Sequence, residues 1–162
     1  MVVRLAEVLN KENEIYDTLY KLSNNKTDLI VGGKVQELEN IVKIEQSLVI
    51  KIAKLEDQRE KVVSELCTIL GQKPEDVTIS EITARLGDEK STLLKECQDK
   101  MLKNIDKLKN TNDLNSRLIK NSLEYIDFSI NMMTSIDTVN NSYGSSGFVG
   151  DTKKRNLFDV KL

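Results

Sequence analysis

The chain contains no histidine and no tryptophan, one proline among 162 residues, and two cysteines. Without histidine, the usual proton shuttle near neutral pH and the commonest zinc ligand are both missing, which argues against an enzyme and against a metal centre. Cys67 and Cys97 have neither a metal-ligand spacing nor the look of a disulfide framework. They are expected to be reduced, helix-borne residues of a cytoplasmic protein. No run of more than three apolar residues occurs, so no transmembrane helix, secretory signal or direct membrane insertion is expected. Charge of one sign is lacking too. The 24 basic and 26 acidic residues are dispersed for a net charge of −2, leaving no broad field for a nucleic-acid backbone or an anionic membrane.

Site chemistry is equally sparse. Carboxylate neighbours such as Glu12 and Glu14, Glu37 and Glu39, or Glu56 and Asp57 sit among lysines and are expected as solvent-facing charge pairs rather than as acid and base. Gly144, Gly147 and Gly150 are spaced three apart but lack the strand and helix that make a phosphate cradle. The oxygens between Asn110 and Asn115 do not alternate as a calcium loop requires. No catalytic residue, metal or cofactor is therefore expected.

What the chain does have is periodicity. Leu38, Ile41, Leu48, Ile52, Leu55, Val62, Leu66 and Ile69 recur at alternating steps of three and four, with Glu45 and Arg59 as the polar interruptions. A 3.5-residue repeat sustained this long describes a helix whose apolar stripe seeks another helix. A first helix over about 2–31 carries Leu5, Val8, Leu9, Ile15, Leu19, Leu22 and Leu29 on one stripe, broken by Glu12 and Lys26. Gly32 and Gly33 follow and supply a left-handed cap and a tight antiparallel turn. The second helix spans about 34–70, ended by Gly71 and kept from resuming by Pro74. Thr78 with Glu81 forms a capping box for a short helix over 78–86. A third long helix covers about 89–143. Its cluster of Asn110, Thr111, Asn112, Asp113 and Asn115 holds poor helix formers and predicts a bend or a change of packing partner near 112. The polar seam residues are expected to fix register or to reach outwards to water. The class is all-α: an elongated antiparallel coiled-coil bundle of three long helices with a short extra helix between the second and third. Residues 1–143 form one helical domain, and the glycine and serine composition of 144–162 reads as a flexible tail.

With chemistry absent, function must lie in what the helices bind. If straight, the third helix overhangs the hairpin of the other two. In its C-terminal half Leu118, Ile119, Leu123, Tyr125, Ile126, Phe128, Ile130, Met132, Met133 and Ile136 place apolar character around more than one face, beyond what a single seam needs. The paired methionines add a deformable surface suited to several helical partners. The alternative is that these residues are core in a tighter bundle or in a homodimer.

The chain resembles the FlgN family of flagellar type III export chaperones. The likeness rests on Leu19-Tyr20-Lys21-Leu22 with Lys26, on Val35-Gln36-Glu37-Leu38, Ile44-Glu45 and Leu55-Glu56-Asp57-Gln58-Arg59, on Asn112-Asp113-Leu114-Asn115, on Leu118 through Tyr125, and on the closing Leu157-Phe158-Asp159. The resemblance implies a small cytoplasmic chaperone that binds the C-terminal segments of hook-associated proteins, protects them and brings them to the export gate. It places the substrate face on the C-terminal half of the third helix, with Tyr125 touching the gate membrane protein. Leu157, Phe158 and Leu162 are expected to shield that face when cargo is absent. The contrasting expectation is a homo-oligomeric coiled-coil scaffold that buries the same surface by self-association.

Overall fold

The computed structural model describes residues 1–71 and 88–139. The expected short helix over 78–86 and the tail over 144–162 lie outside these. Among the described residues the regular structure is entirely helical: α1 (Val2–Val31), α2 (Val35–Leu70) and α3 (Asp88–Val139). By its internal contacts the chain divides into two units, Met1–Leu123 and Glu124–Leu162. The packing that follows belongs to the first.

The turn between α1 and α2 divides the work of its two glycines. Gly32 stays right-handed at φ −79°, while Gly33 alone takes the left-handed conformation at φ 65°. The Lys34 amide donates to Leu29 O at 2.9 Å and the Gly33 amide to Ile30 O at 3.2 Å. These two bonds close a Schellman motif, which satisfies carbonyls that the helix end leaves open. Nothing lies within 4 Å of a Cβ built on Gly33, so its replacement meets conformational strain rather than a clash. We expect Gly33→Ala to lower unfolding free energy by roughly 1–2 kcal/mol, read from denaturant titration; an unchanged midpoint would rule out this role.

Ion pairs show the direction of the hairpin. Arg4 meets Glu65 at 3.5 Å near the open end, and Lys26 meets Glu45 at 2.6 Å nearer the turn, so α2 runs antiparallel to α1. α3 runs parallel to α1, because Asn13 Nδ2 donates to Cys97 O at 3.0 Å and, further along both helices, Ser23 Oγ donates to Asn112 Oδ1 at 2.7 Å. The apolar cluster sits where all three helices meet: Val2, Leu5, Ala6 and Leu9 from α1, Val62 and Leu66 from α2, Leu94 and Cys97 from α3, with Val63 and Met101 at its edge. Burial of aliphatic side chains, each contributing about 1.5–3 kcal/mol, is what holds this end together. Both cysteines are free and buried. Burial pushes the Cys97 thiol up, which suppresses the reactive thiolate.

Beyond this cluster polar side chains join the interface, among the buried Leu19, Leu29 and Ile41. Lys26 and Glu45, the interruptions of the two stripes, pair with each other while largely covered. The other two occupy one neighbourhood, where Arg59 donates through Nε to Glu56 Oε2 at 2.9 Å and its charge acts on Glu12. Glu12 departs from the expectation of a solvent-facing carboxylate: it is only 2% exposed, with Oε1 lacking a hydrogen-bond partner among the described residues. Desolvation raises its pKa, against the pull of Arg59. The folded state therefore holds this proton more tightly than the unfolded chain. The site's contribution to stability is full below the unfolded carboxyl value of about 4.3 and is lost as pH rises through the raised folded value. We expect Glu12→Gln to unfold at a higher temperature than the wild type at pH 8, with the gap narrowing towards pH 4. A variant less stable at pH 8 would contradict this.

The asparagine cluster produces no break. α3 is a single helix through residues 110–115, and Asn112 and Asn115 bind across to α1, while Asn110 and Thr111 bond within α3 to Asp106 and to Lys107 O. Asn115 Nδ2 donates to Ser23 O at 2.8 Å, and Thr27 Oγ1 donates to Asn115 Oδ1 at 2.6 Å. The low intrinsic helix propensity is overridden by these bonds. Ile69, expected in the seam, is 68% exposed: Glu65 already lies opposite Arg4, close to the start of α1, so no further turn of α1 covers it.

Candidate functional site

α3 carries its own seam. Leu94, Cys97, Met101, Asn104, Leu108, Thr111, Asn115 and Leu118 alternate by three and four, and all are buried or half-buried. The seam then stops. From residue 119 to 134 every residue except the half-buried Ser129 is exposed. Of the expected site residues in the first unit, Leu118 closes the seam, while Ile119 and Leu123 are exposed. Beside this point α1, α2 and α3 leave a groove of about 380 Å³, lined by Leu19, Lys26, Glu45, Val49, Leu108, Asn112, Asn115, Ser116 and Ile119.

In the second unit, Tyr125 is 72% exposed, Ile126 51%, Phe128 63%, Ile130 43%, Met132 54% and Met133 70%. The backbone of Ile136 is helical, and its side chain is outside the described set. Successive helical residues are turned by about 100°, which places these six on an arc of roughly 200°. Glu124, Asp127, Asn131 and Thr134 fill the remainder. Ser129, inside the arc, turns its hydroxyl back to Tyr125 O at 2.8 Å, which removes the donor from the apolar surface. A helix that buries one seam needs an apolar stripe of about 100°, so this width suits a deformable or enclosing partner. Among the described residues no three His, Cys, Asp or Glu side chains gather as a metal site, and no helix is long and apolar enough to cross a membrane. The buried polar residues Asn13, Ser23, Asn104 and Asn115 do not follow from hydropathy, although Asn104 and Asn115 fall on the alternation that Leu94, Cys97 and Met101 begin.

The α3 seam thus closes at Leu118, and large apolar side chains among residues 119–134 are exposed. The family model described as FlgN protein matches residues 1–148, and the chain belongs to this family of flagellar export chaperones, whose members bind hook-associated proteins. It is also 28% identical, over 97% of its length and 96% of the relative's, to the Bacillus subtilis (strain 168) protein described as uncharacterized protein YvyG. No solved structure matches.

Proposed function

We propose that the chain is a cytoplasmic chaperone that holds the C-terminal segments of flagellar hook-associated proteins on α3, through Tyr125, Ile126, Phe128, Met132, Met133 and Ile136 in the second unit and, in the first, through Ile119 and Leu123 beside Leu118, which closes the seam. The cargo is kept unassembled and delivered to the type III export gate, with Tyr125 available to the gate protein. The observation that carries this reading is the end of the α3 seam at Leu118, followed by large apolar side chains that remain 38–72% exposed. Bare patches of this kind mark interaction sites.

The physical mode is helix in groove, generalised to a disordered segment that orders as it covers the arc. Ordering such a segment removes roughly 2–5 kcal/mol from the gross interaction, which keeps affinity moderate and release at the gate feasible. The heptad alternation of α1, α2 and α3 supports antiparallel coiled-coil packing as the frame, with residues 1–143 as the helical domain and 144–162 as its tail. Light-scattering mass tests the function. A chaperone remains a monomer or weak dimer and gains the mass of one peptide when a hook-associated C-terminal peptide is added. A stable self-assembled rod indifferent to that peptide is the result required by the scaffold alternative.

A further inference from the structure

We propose that residues 153–162 of the chain itself dock reversibly on the α3 arc at Tyr125, Phe128, Met132 and Met133, and compete there with cargo. Only the competition rests on the chaperone reading; the docking stands without it.

Charge selects this occupant. Between residues 121 and 139 the charged side chains are Glu124, Asp127 and Asp137, all acidic, whereas residues 140–162 carry Lys153, Lys154, Arg155 and Lys161 against Asp151 and Asp159. An acidic helix segment and a basic segment of opposite net charge attract, most strongly at low salt. The basic cluster leads directly into Leu157, Phe158, Val160 and Leu162, which supply the apolar matter that the exposed arc lacks. Reach is sufficient. Residues 140–152 extend to about 45 Å at most, whereas the helix from Tyr125 to Val139 rises about 21 Å. A connection of this length holds its end at an effective concentration on the order of 1 mM. A contact with a dissociation constant of about 0.3 mM in trans would then weaken cargo binding roughly fourfold.

Methionine methyl resonances test the docking without cargo. The four methionines are Met1, Met101, Met132 and Met133, and Met101, at the edge of the core, serves as an internal control. In the full chain, Leu157→Ser/Phe158→Ser is expected to move the Met132 and Met133 signals while leaving Met101 in place. Lys153→Glu/Lys154→Glu/Arg155→Glu is expected to move the same two. A hook-associated C-terminal peptide should bind both variants about three to five times more tightly than the wild type. Unmoved Met132 and Met133 signals in both variants overturn the docking, even if the peptide binds. Moved signals with no peptide binding in any variant leave the docking standing and overturn the chaperone reading.

Discussion

Replacing Phe128 and Met133 together by aspartate is expected to weaken binding of a hook-associated C-terminal peptide by at least about 100-fold, measured by titration calorimetry. Phe128 is 63% and Met133 70% exposed in the free chain, so neither contributes much to folding. Exposed substitutions usually change stability by about 0.5 kcal/mol or less, and the thermal midpoint should stay nearly constant. In a filled interface each would be a large apolar anchor. Anchors of that kind are worth about 2 kcal/mol or more each, and every 1.4 kcal/mol is tenfold in affinity. An aspartate adds the desolvation of a charge. Undiminished affinity would move the binding face elsewhere, and a lost thermal transition would show that these side chains are core.

The second large effect lies at the opposite end of α3. Leu94 is fully buried among Val2, Leu5, Leu9, Val62 and Leu66, and Leu94→Ala should destabilise the chain by about 2–5 kcal/mol, the sum of lost transfer energy and a residual cavity. Against a typical domain stability of about 5–15 kcal/mol this is a major loss. The matched control is Leu102→Ala. Leu102 is 59% exposed on the same helix, and its loss should cost about 0.5 kcal/mol or less. Chemical denaturation distinguishes the two, and equal costs would contradict the assigned faces of α3.

The contrast between these variants shows what periodicity makes legible. The ends of α1 and α2 lie within a residue of the ranges expected from the glycines and proline, because a left-handed cap at Gly33 and another at Gly71 are local requirements. The stripe of α1 is also readable: Leu5, Val8, Leu9, Leu19 and Leu29 are all buried. Hydropathy does not show that α1 has two neighbours. Asn13 and Ser23 face α3 through hydrogen bonds, and such pairs depend on residues more than eighty positions away. The cluster around Asn112 reads as weak in the sequence for the same reason. Local propensity weighs a residue against its own helix, whereas Asn115 is stabilised by Ser23 and Thr27 of another.

The candidate site was legible as an excess of apolar residues over the needs of one seam. Its limit was not. Where the α3 seam stops depends on how far α1 continues alongside: Thr27 reaches Asn115, and α1 ends at Val31. Past that point the heptad loses its partner and the same residue types become surface. Polar layers such as Lys26 with Glu45 bring modest gain in stability to this interface, since ion pairing offsets desolvation only in part.

Methionine oxidation tests the central claim most directly. The Leu157→Ser/Phe158→Ser chain, which lacks the proposed tail contact, is treated with dilute hydrogen peroxide, alone and saturated with a hook-associated C-terminal peptide, and the rate at each methionine is followed by mass spectrometry. Met132 and Met133, exposed in the free chain, are predicted to oxidise readily alone and several times more slowly under the peptide, with Met101 unchanged. Peptide binding that leaves the Met132 and Met133 rates unaltered would contradict the assignment of α3 as the surface that cargo covers.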